Sequence, residues 1–342
     1  MQPLVLMMSG SLIRQYRNQL DQVIGRPWRY VDPEEELADT SGIEIALFSR
    51  SIYAGSNRQQ ASPQTRRFFD ALAQSPRLAW LHVFSSGSDN PLYRPILQRG
   101  VCVSTSTGAA GKTVALTAFT GLLALSRGMP RWIQAKQQRV WAPVHGKDAP
   151  AVLAKQTAVV VGTGVIGCEF ARLSGVVGLQ CIGVRRGLGH IEPFQSCIPV
   201  ARLDEVLPRA DWLVLACPLT KETHGLIDAR RLRLLPRTAQ VINVARGGVL
   251  VERDLVSALQ QQTIAGAYLD VFETEPLPTT SAFWEMPQVL LSPHNAAISQ
   301  GYDDQVMRIF LANLACFLSG KPLTNLVDVN TALGIDAQAY SS

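Results

Sequence analysis

The 342-residue chain lacks the cysteine pairs, long apolar runs and leader signals that mark several broad protein classes. Its six cysteines include no Cys-x-x-Cys pair, which excludes the usual zinc and redox motifs, so we expect no metal. No apolar run approaches about 18 residues, and we therefore expect neither a membrane span nor a membrane partner. The opening segment, MQPLVLMMSG, has no basic residues before its apolar stretch and predicts a first strand rather than a signal peptide. Cysteines in apolar runs are typical of a reducing compartment, which predicts a cytoplasmic protein.

Charged residues are few, at 17% of the chain beside 47% hydrophobic residues, and this balance argues against a disordered protein. The net charge is +5, but the basic residues are scattered rather than gathered in one patch with aromatics. This distribution argues against a nucleic-acid partner and leaves small anions or plain solvated surface as the explanation. The length exceeds what one hydrophobic core usually supports, so we expect two domains.

Apolar segments alternate with helix-like segments along both halves of the chain. Predicted strands of the first series lie at 3–8, 44–48, 78–84 and 101–105. The helix predicted from about residue 112 to 127 is apolar nearly all round, which is typical of a buried helix. Six further strands are predicted at 157–164, 179–185, 212–218, 239–245, 265–271 and 288–294. Helical crossovers between strands predict an α/β fold with parallel sheets, and the second series matches a doubly wound dinucleotide-binding domain.

A glycine-rich loop closes the first strand of the second series. It runs through Gly162, Thr163, Gly164, Val165, Ile166 and Gly167. The first glycine permits a tight turn, the second leaves room for a pyrophosphate, and the third lets helix and strand pack closely. The N–H groups at the start of the following helix are then available to phosphates. The alternative is a glycine turn without a ligand, but the strand before the loop and the helix after it favour a dinucleotide.

The end of the next predicted strand reads CIGVRRG, with Arg185 and Arg186 where an acid would accept hydrogen bonds from a ribose 2′-hydroxyl. An arginine fork matches the geometry of a phosphate. The pair therefore predicts a preference for NADP(H), with NAD(H) as a second cofactor. The alternative is a solvated strand end with no role in binding.

Three later motifs each place one functional side chain just past a predicted strand: NVARGG with Arg246, DVFETEP with Glu275, and SPHNAA with His294. Each has an ordinary explanation, as a surface base, a solvated acid or a cap. Ligands gather at strand ends in open α/β sheets, so three such side chains in succession favour an active site. Arg246 can bind a carboxylate and polarise a carbonyl, and His294 can donate a proton. Glu275 can hold the imidazole in one tautomer.

These motifs together resemble the D-isomer-specific 2-hydroxyacid dehydrogenase family. Two further segments carry the resemblance, LAWLHVFSSGSDN at 78–90 and CPLTKETHGLID at 217–228. With arginine at the second strand, the chain is most similar to the NADPH-dependent glyoxylate/hydroxypyruvate reductases. The resemblance implies two doubly wound, Rossmann-like domains flanking a cleft. It assigns residues 1–107 and 298–342 to substrate binding and 108–297 to the dinucleotide, and it implies a homodimer through the dinucleotide domain.

The resemblance also implies roles for individual residues. Substrate contacts are implied for Ser86, Gly87, Arg246 and Trp141. Cofactor contacts are implied for Gly162, Thr163, Gly164, Val165, Ile166, Arg185, Arg186, Pro218, Thr223, Val244, Ala245 and Asp270. Asn243 and Asp270 face the cofactor or brace the site. Trp141 either reaches the partner's site or packs in the interface, and Arg50 and Tyr53 either face the tail of the substrate or lie in a surface loop.

The predicted function is hydride transfer between NADP(H) and a small 2-oxo or 2-hydroxy acid, in the direction of 2-oxo acid reduction. Two alternatives share the fold: a dinucleotide-sensing, corepressor-like binding protein, and a dehydrogenase of another small anion. The chain has almost no tail beyond its last predicted helix, which favours the enzyme over the corepressor. Glu275 stands where formate dehydrogenases of the family carry glutamine, and this disfavours that branch.

Overall fold

The computed structural model describes residues 2–35, 39–57, 60–146, 149–187 and 189–329. These residues form two compact units. The first combines the chain up to Ala110 with the chain from Ser299 onward, and the second spans Gly111–Ile298. None of the described helices is long and apolar enough to cross a membrane.

The first unit is built on a five-stranded parallel sheet with strand order β2-β1-β3-β4-β5. The strands are β1 Leu4–Met7, β2 Trp28–Val31, β3 Ile45–Phe48, β4 Trp80–Val83 and β5 Cys102–Thr105. Its helices up to residue 110 are α1 Gly10–Ile24, α2 Arg50–Tyr53, α3 Pro63–Ala73 and α4 Arg94–Gln98. Strands β1, β3 and β4 are buried along their whole length, as strands covered on both faces must be.

The second unit is built on a seven-stranded parallel sheet with strand order β12-β11-β10-β9-β6-β7-β8. The strands are β6 Thr157–Val161, β7 Gln180–Arg185, β8 Ser196–Pro199, β9 Trp212–Leu215, β10 Gln240–Asn243, β11 Gly266–Leu269 and β12 Val289–Leu291. The helices are α5 Gly111–Ser126, α6 Met129–Gln138, α7 Val165–Val176, α8 Leu203–Val206, α9 Ala229–Leu232 and α10 Glu252–Gln260. The last helix, α11 Tyr302–Leu318, belongs to the first unit.

The two sheets confirm the predicted class of doubly wound, Rossmann-like α/β fold. Two strands were absent from the sequence-based prediction, β2 and β8. Both are edge strands with half-exposed side chains, and β8 ends in Pro199. Such strands carry no continuous apolar run, which is the signal that identified the others. The apolar helix α5 buries one side in its own unit, where Gly121 lies so close to the Tyr268 ring that a Cβ would stand 2.4 Å from Cδ1, while Leu116 on the other side is 55% exposed.

Candidate active site

The candidate site lies along the carboxyl edge of the seven-stranded sheet, where parallel strands end side by side. The strand order reverses between β6 and β9. β7 and β8 follow β6 on one side, whereas β10, β11 and β12 lie beyond β9 on the other. Such a switch point is where open α/β sheets bind ligands. The glycine loop follows β6, and Arg246, Glu275 and His294 follow β10, β11 and β12. The strand order therefore brings the predicted motifs to one edge.

The three glycines of the loop after β6 have different reasons for being glycine. Gly162 has φ +107°, and a Cβ there would stand 2.6 Å from the Ala216 carbonyl oxygen. At Gly167 a Cβ would stand 1.9 Å from the Gly162 oxygen. At Gly164 a Cβ would meet no described atom within 4 Å. Gly164 is exposed at the N-cap of α7, beside the first-turn residues Val165 and Ile166. The open space there fits a dinucleotide phosphate over the helix N-terminus.

The two arginines after β7 differ in exposure. Arg185 is half-buried, and its guanidinium lies over Gly187, where a Cβ would stand 3.3 Å from Nη2. Arg186 is exposed. The pKa of the Glu222 carboxyl is lowered, first by a hydrogen bond from Thr220 and further by the charge of Arg186. The two arginines thus place two guanidinium groups at the carboxyl end of β7.

The remaining predicted cofactor contacts follow β9 and β10. The Thr223 hydroxyl donates to the Pro218 carbonyl at 2.7 Å and so closes the loop between them. Val244 and Ala245 are buried, and the Ala245 amide donates to the Asn243 side-chain oxygen at 3.1 Å. The polar groups described here bond within the protein, and contact with a cofactor stays a prediction for these residues.

His294 and Glu275 form the central pair of the site. Nδ1 of His294 lies 2.7 Å from Oε2 of Glu275, and the other carboxylate oxygen accepts from the Phe272 amide at 3.0 Å. A carboxylate can only accept, so Nδ1 carries the proton in this pair. The His294 side chain is 40% exposed and that of Glu275 is 17% exposed. The far imidazole nitrogen, Nε2, is thereby left as the atom that can exchange a proton with a ligand.

The backbone of His294 is held in an unusual conformation, with φ +54°. Its amide donates to the Asp270 carbonyl oxygen at 2.8 Å. The Asp270 carboxylate accepts from the amides of Asn295 at 2.8 Å and Ala296 at 3.1 Å, and from the Ser292 hydroxyl. A non-glycine residue in the left-handed region is strained and persists only where its surroundings over-determine it. Asp270 supplies that constraint.

Asp270 therefore braces the histidine loop. Its side chain is buried, and burial raises the pKa of the carboxyl although the hydrogen bonds to it act in the opposite direction. Of the two predicted roles, the hydrogen bonds described here are those of a brace, and the contact of Asp270 with a cofactor stays a prediction. The sequence reasoning missed Ser292 and Tyr268, whose hydroxyls lie 2.7 Å apart and extend the network. The sequence signal that could have identified Ser292 was its place in the SPHNAA motif, two residues before His294.

The loop that carries Arg246 is held by Asn243 at the end of β10. The Asn243 side chain donates to the Arg246 carbonyl oxygen at 3.2 Å. Gly247 packs directly on the backbone after β11, where a Cβ would stand 1.9 Å from the Phe272 carbonyl carbon. Arg246 is half-buried, and its Nη1 donates to the Ala245 carbonyl oxygen at 2.7 Å. Local packing thus presents one strong cation at the end of this strand.

The other predicted substrate residues are not on the loops that follow the strands of this sheet. Ser86 and Gly87 are in the loop after β4 of the first unit. Arg50 stacks over the Tyr302 ring, 4.3 Å from its centroid, and Tyr53 packs on the Phe84 ring. Trp141, in the second unit, is 94% exposed.

A family model matches the second unit. The description of that model is "D-isomer specific 2-hydroxyacid dehydrogenase, NAD binding domain", and it covers residues 119–296, over half of the chain. The chain belongs to the D-isomer specific 2-hydroxyacid dehydrogenase family. This dehydrogenase is an NAD(P)-dependent oxidoreductase, as its motifs predicted.

Individual relatives are similar over most of their length. A glyoxylate reductase of Korarchaeum cryptofilum is 31% identical to this dehydrogenase over 265 residues, which cover 74% of this chain and 77% of the relative. The structure of a D-isomer specific 2-hydroxyacid dehydrogenase from Xanthobacter autotrophicus Py2, in complex with NADPH and MES, is 27% identical with a TM-score of 0.75. That of an NADPH-dependent glyoxylate/hydroxypyruvate reductase from Sinorhizobium meliloti, in complex with NADP and sulfate, is 25% identical with a TM-score of 0.75. Each alignment covers 97% of this chain and 100% of the other.

Proposed function

We propose that this dehydrogenase reduces small 2-oxo acids of the glyoxylate or hydroxypyruvate type with NADP(H), and that NAD(H) is its second cofactor. The observation that carries the proposal is the His294–Glu275 pair, 2.7 Å apart, on the same sheet edge as the glycine loop and Arg246. A proton donor beside a strong cation and a dinucleotide loop is what reduction of an oxo acid requires. The names of the relatives point to the same substrates and cofactor.

The glycine loop and the arginines after β7 would hold the cofactor. The N-terminus of α7, next to the open position at Gly164, suits the pyrophosphate, and Arg185 and Arg186 suit a 2′-phosphate. When bound, the nicotinamide dinucleotide supplies the hydride. An acid at the end of β7 would repel the extra phosphate of NADP(H), so its replacement by arginine supports this preference.

Arg246 would bind the substrate. Its guanidinium presents several donors in one plane, so it can pair with the carboxylate and polarise the adjacent carbonyl oxygen of a 2-oxo acid. The backbone amides of Ser86 and Gly87 are proposed as further carboxylate donors. Both kinds of donor place positive charge beside the carboxylate, and Arg246 also places it where negative charge develops on the carbonyl oxygen during reduction.

His294 would supply the proton. Because Glu275 accepts from Nδ1, a protonated His294 holds its second proton on Nε2 and gives it to the alkoxide oxygen formed on reduction. The Glu275 carboxylate stabilises the positive imidazole before that transfer. In the oxidative direction the same nitrogen accepts the proton of the 2-hydroxy group.

The two alternatives are not favoured. A corepressor-like binding protein and a dehydrogenase of another anion share this fold, but the relatives from Korarchaeum cryptofilum and Sinorhizobium meliloti are named reductases of glyoxylate or hydroxypyruvate. The proposal also assigns substrate binding to the first unit and dinucleotide binding to the second.

We also propose a homodimer and a cytoplasmic location. None of the side chains of α6 is buried, and Met129, Trp132 and Ile133 of that helix are exposed together with Trp141. A large exposed apolar patch usually marks an interaction surface, and we assign this one to a second copy of the chain. The six cysteines are free thiols, in keeping with a cytoplasmic location. Sedimentation of the purified protein tests the homodimer.

The test of the proposed activity is an absorbance assay of NADPH consumption with glyoxylate, hydroxypyruvate, pyruvate and longer 2-oxo acids. We expect turnover of the small acids, with kcat/KM higher for NADPH than for NADH. The same panel is run with NADH and, in reverse, with the 2-hydroxy acids and NADP. Absence of turnover in every combination would refute the proposal.

A further inference from the structure

In the loop after β4, residues 84–87, every backbone carbonyl accepts a hydrogen bond from a residue of the first unit. We call this loop the serine loop. The Phe84 oxygen accepts from the Tyr302 hydroxyl, and the Ser85 oxygen accepts from the Ser106 amide at 3.0 Å. The Ser86 oxygen accepts from Thr107 Oγ1 at 3.2 Å. The Gly87 oxygen accepts from Ser85 Oγ at 2.8 Å.

The consequence for the amides follows from peptide geometry. In a trans peptide the C=O and the N–H of the next residue point in opposite directions. Because Ser106 and Thr107 hold the Ser85 and Ser86 carbonyls, the amides of Ser86 and Gly87 point away from those two residues. In the described part of the chain these two amides have no hydrogen-bond acceptor. Two successive amides whose hydrogens no described group accepts can bind an anion.

Of the residues that donate a hydrogen bond to the carbonyls of this loop, Tyr302 is the farthest along the chain. It is the first residue of α11 and is 5% exposed. The Arg50 guanidinium stacks over its ring, with Cζ 4.3 Å from the ring centroid. Burial raises the pKa of Tyr302 to about 12, so the hydroxyl stays protonated and donates throughout the ordinary pH range. Arg50 and α11 thus fix a donor beneath the first peptide of the serine loop.

We propose that Thr107, which holds the Ser86 carbonyl, and Tyr302, which anchors the Phe84 carbonyl at the start of the loop, are positioning residues that keep the Ser86 and Gly87 amides turned toward the substrate's carboxylate. This inference rests on the proposed reduction of 2-oxo acids. Neither side chain touches the substrate itself. Arg50 serves the same end by keeping Tyr302 in place, which gives it a role other than direct contact with the substrate's tail.

The decisive variants are Tyr302→Phe and Thr107→Val, each of which removes one hydroxyl donor to the loop. Tyr16→Phe is the matched control, because Tyr16 is also a buried tyrosine of the first unit, and its hydroxyl bonds Asp304 near the start of α11 with no hydrogen bond to the loop described. Carboxylate binding is made equally in the ground state and the transition state, so its loss raises KM more than it lowers kcat. We expect KM for glyoxylate to rise about 5- to 10-fold in each loop variant.

Inhibition by oxamate, an unreactive analogue with the same carboxylate, gives a second readout that does not depend on turnover. We expect its inhibition constant to rise in parallel with KM in both loop variants, while NADPH affinity, kcat and the Tyr16→Phe control stay near the wild-type values. Wild-type KM and oxamate inhibition in both loop variants would overturn this inference alone. A wild-type enzyme that turns over no 2-oxo acid and does not bind oxamate would overturn the proposed function and this inference with it.

Discussion

The Glu275 carboxylate holds Nδ1 of His294 at 2.7 Å while its second oxygen is bound by the Phe272 amide. Both oxygens of the acid are therefore committed, and the imidazole has one tautomer and one orientation. The histidine backbone is fixed independently, since its amide and the next two are bound by Asp270. Glu275 therefore fixes the imidazole ring, and Asp270 fixes the backbone of the loop that carries it.

His294→Asn tests the proton donor without disturbing this loop. Asparagine tolerates the left-handed conformation that His294 adopts, whereas alanine adds backbone strain to the loss of the imidazole. We expect kcat for glyoxylate to fall by about 100- to 10,000-fold, because a positioned general acid is lost. NADPH binding, followed by fluorescence, is expected to stay unchanged. Retention of wild-type kcat would show that another group supplies the proton.

Gly164→Ala separates the role of the glycine loop in binding from its role in folding. A Cβ at Gly164 meets no described atom within 4 Å, so we expect an unchanged melting temperature and an NADPH Kd higher by about tenfold or more. Gly167→Ala is the contrast, because its Cβ would stand 1.9 Å from the Gly162 oxygen and destabilise the fold. Unchanged NADPH affinity in Gly164→Ala would mean that no phosphate approaches this position.

The double variant Arg185→Asp with Arg186→Ser tests the cofactor preference. Loss of two charge-assisted bonds to the 2′-phosphate, with an acid introduced beside it, is expected to weaken NADPH by about 30- to 100-fold and NADH much less. Arg202→Ser is the control, since Arg202 is an exposed arginine of the same unit that pairs with Glu205. If both cofactors weaken equally, the two arginines do not recognise the 2′-phosphate.

His82 predicts an acid sensitivity of the fold. It is buried on β4 between the hydroxyls of Ser104 at 2.7 Å and Ser106 at 3.0 Å, and burial lowers its pKa to about 3. A histidine whose pKa is depressed on folding binds its proton more tightly in the unfolded chain. Its contribution to stability is therefore complete above about pH 6.5 and is lost as the pH falls toward 3.

The measurement is the free energy of unfolding as a function of pH, for the wild type and for His82→Gln. A single histidine contributes a slope of at most about 1.4 kcal/mol per pH unit between these limits. We expect His82→Gln to be less stable at neutral pH and to lose that part of the slope. Identical slopes in the two proteins would show that His82 is not the titrating group.

Prediction from sequence succeeded where the signal is local. Buried parallel strands are continuous apolar runs, so ten of the twelve described strands could be read directly, whereas the half-exposed edges β2 and β8 could not. The glycine loop and the strand-end motifs are short, so they can be recognised from residue spacing alone, before the fold is known. The brace formed by Asp270 was not separable from a cofactor contact, because both place an acid after β11.

The sequence alone determined the α/β class, the family and the positions of Arg246, Glu275 and His294 after successive strands, since strand periodicity and turn chemistry act over a few residues. Only the tertiary structure decided which atoms hold these groups in place. Tyr302 reaches the Phe84 carbonyl from 218 residues away, and Asp270 reaches the amides of Asn295 and Ala296 from the neighbouring strand. Such bonds depend on how elements distant in the chain pack, and no local pattern encodes that packing.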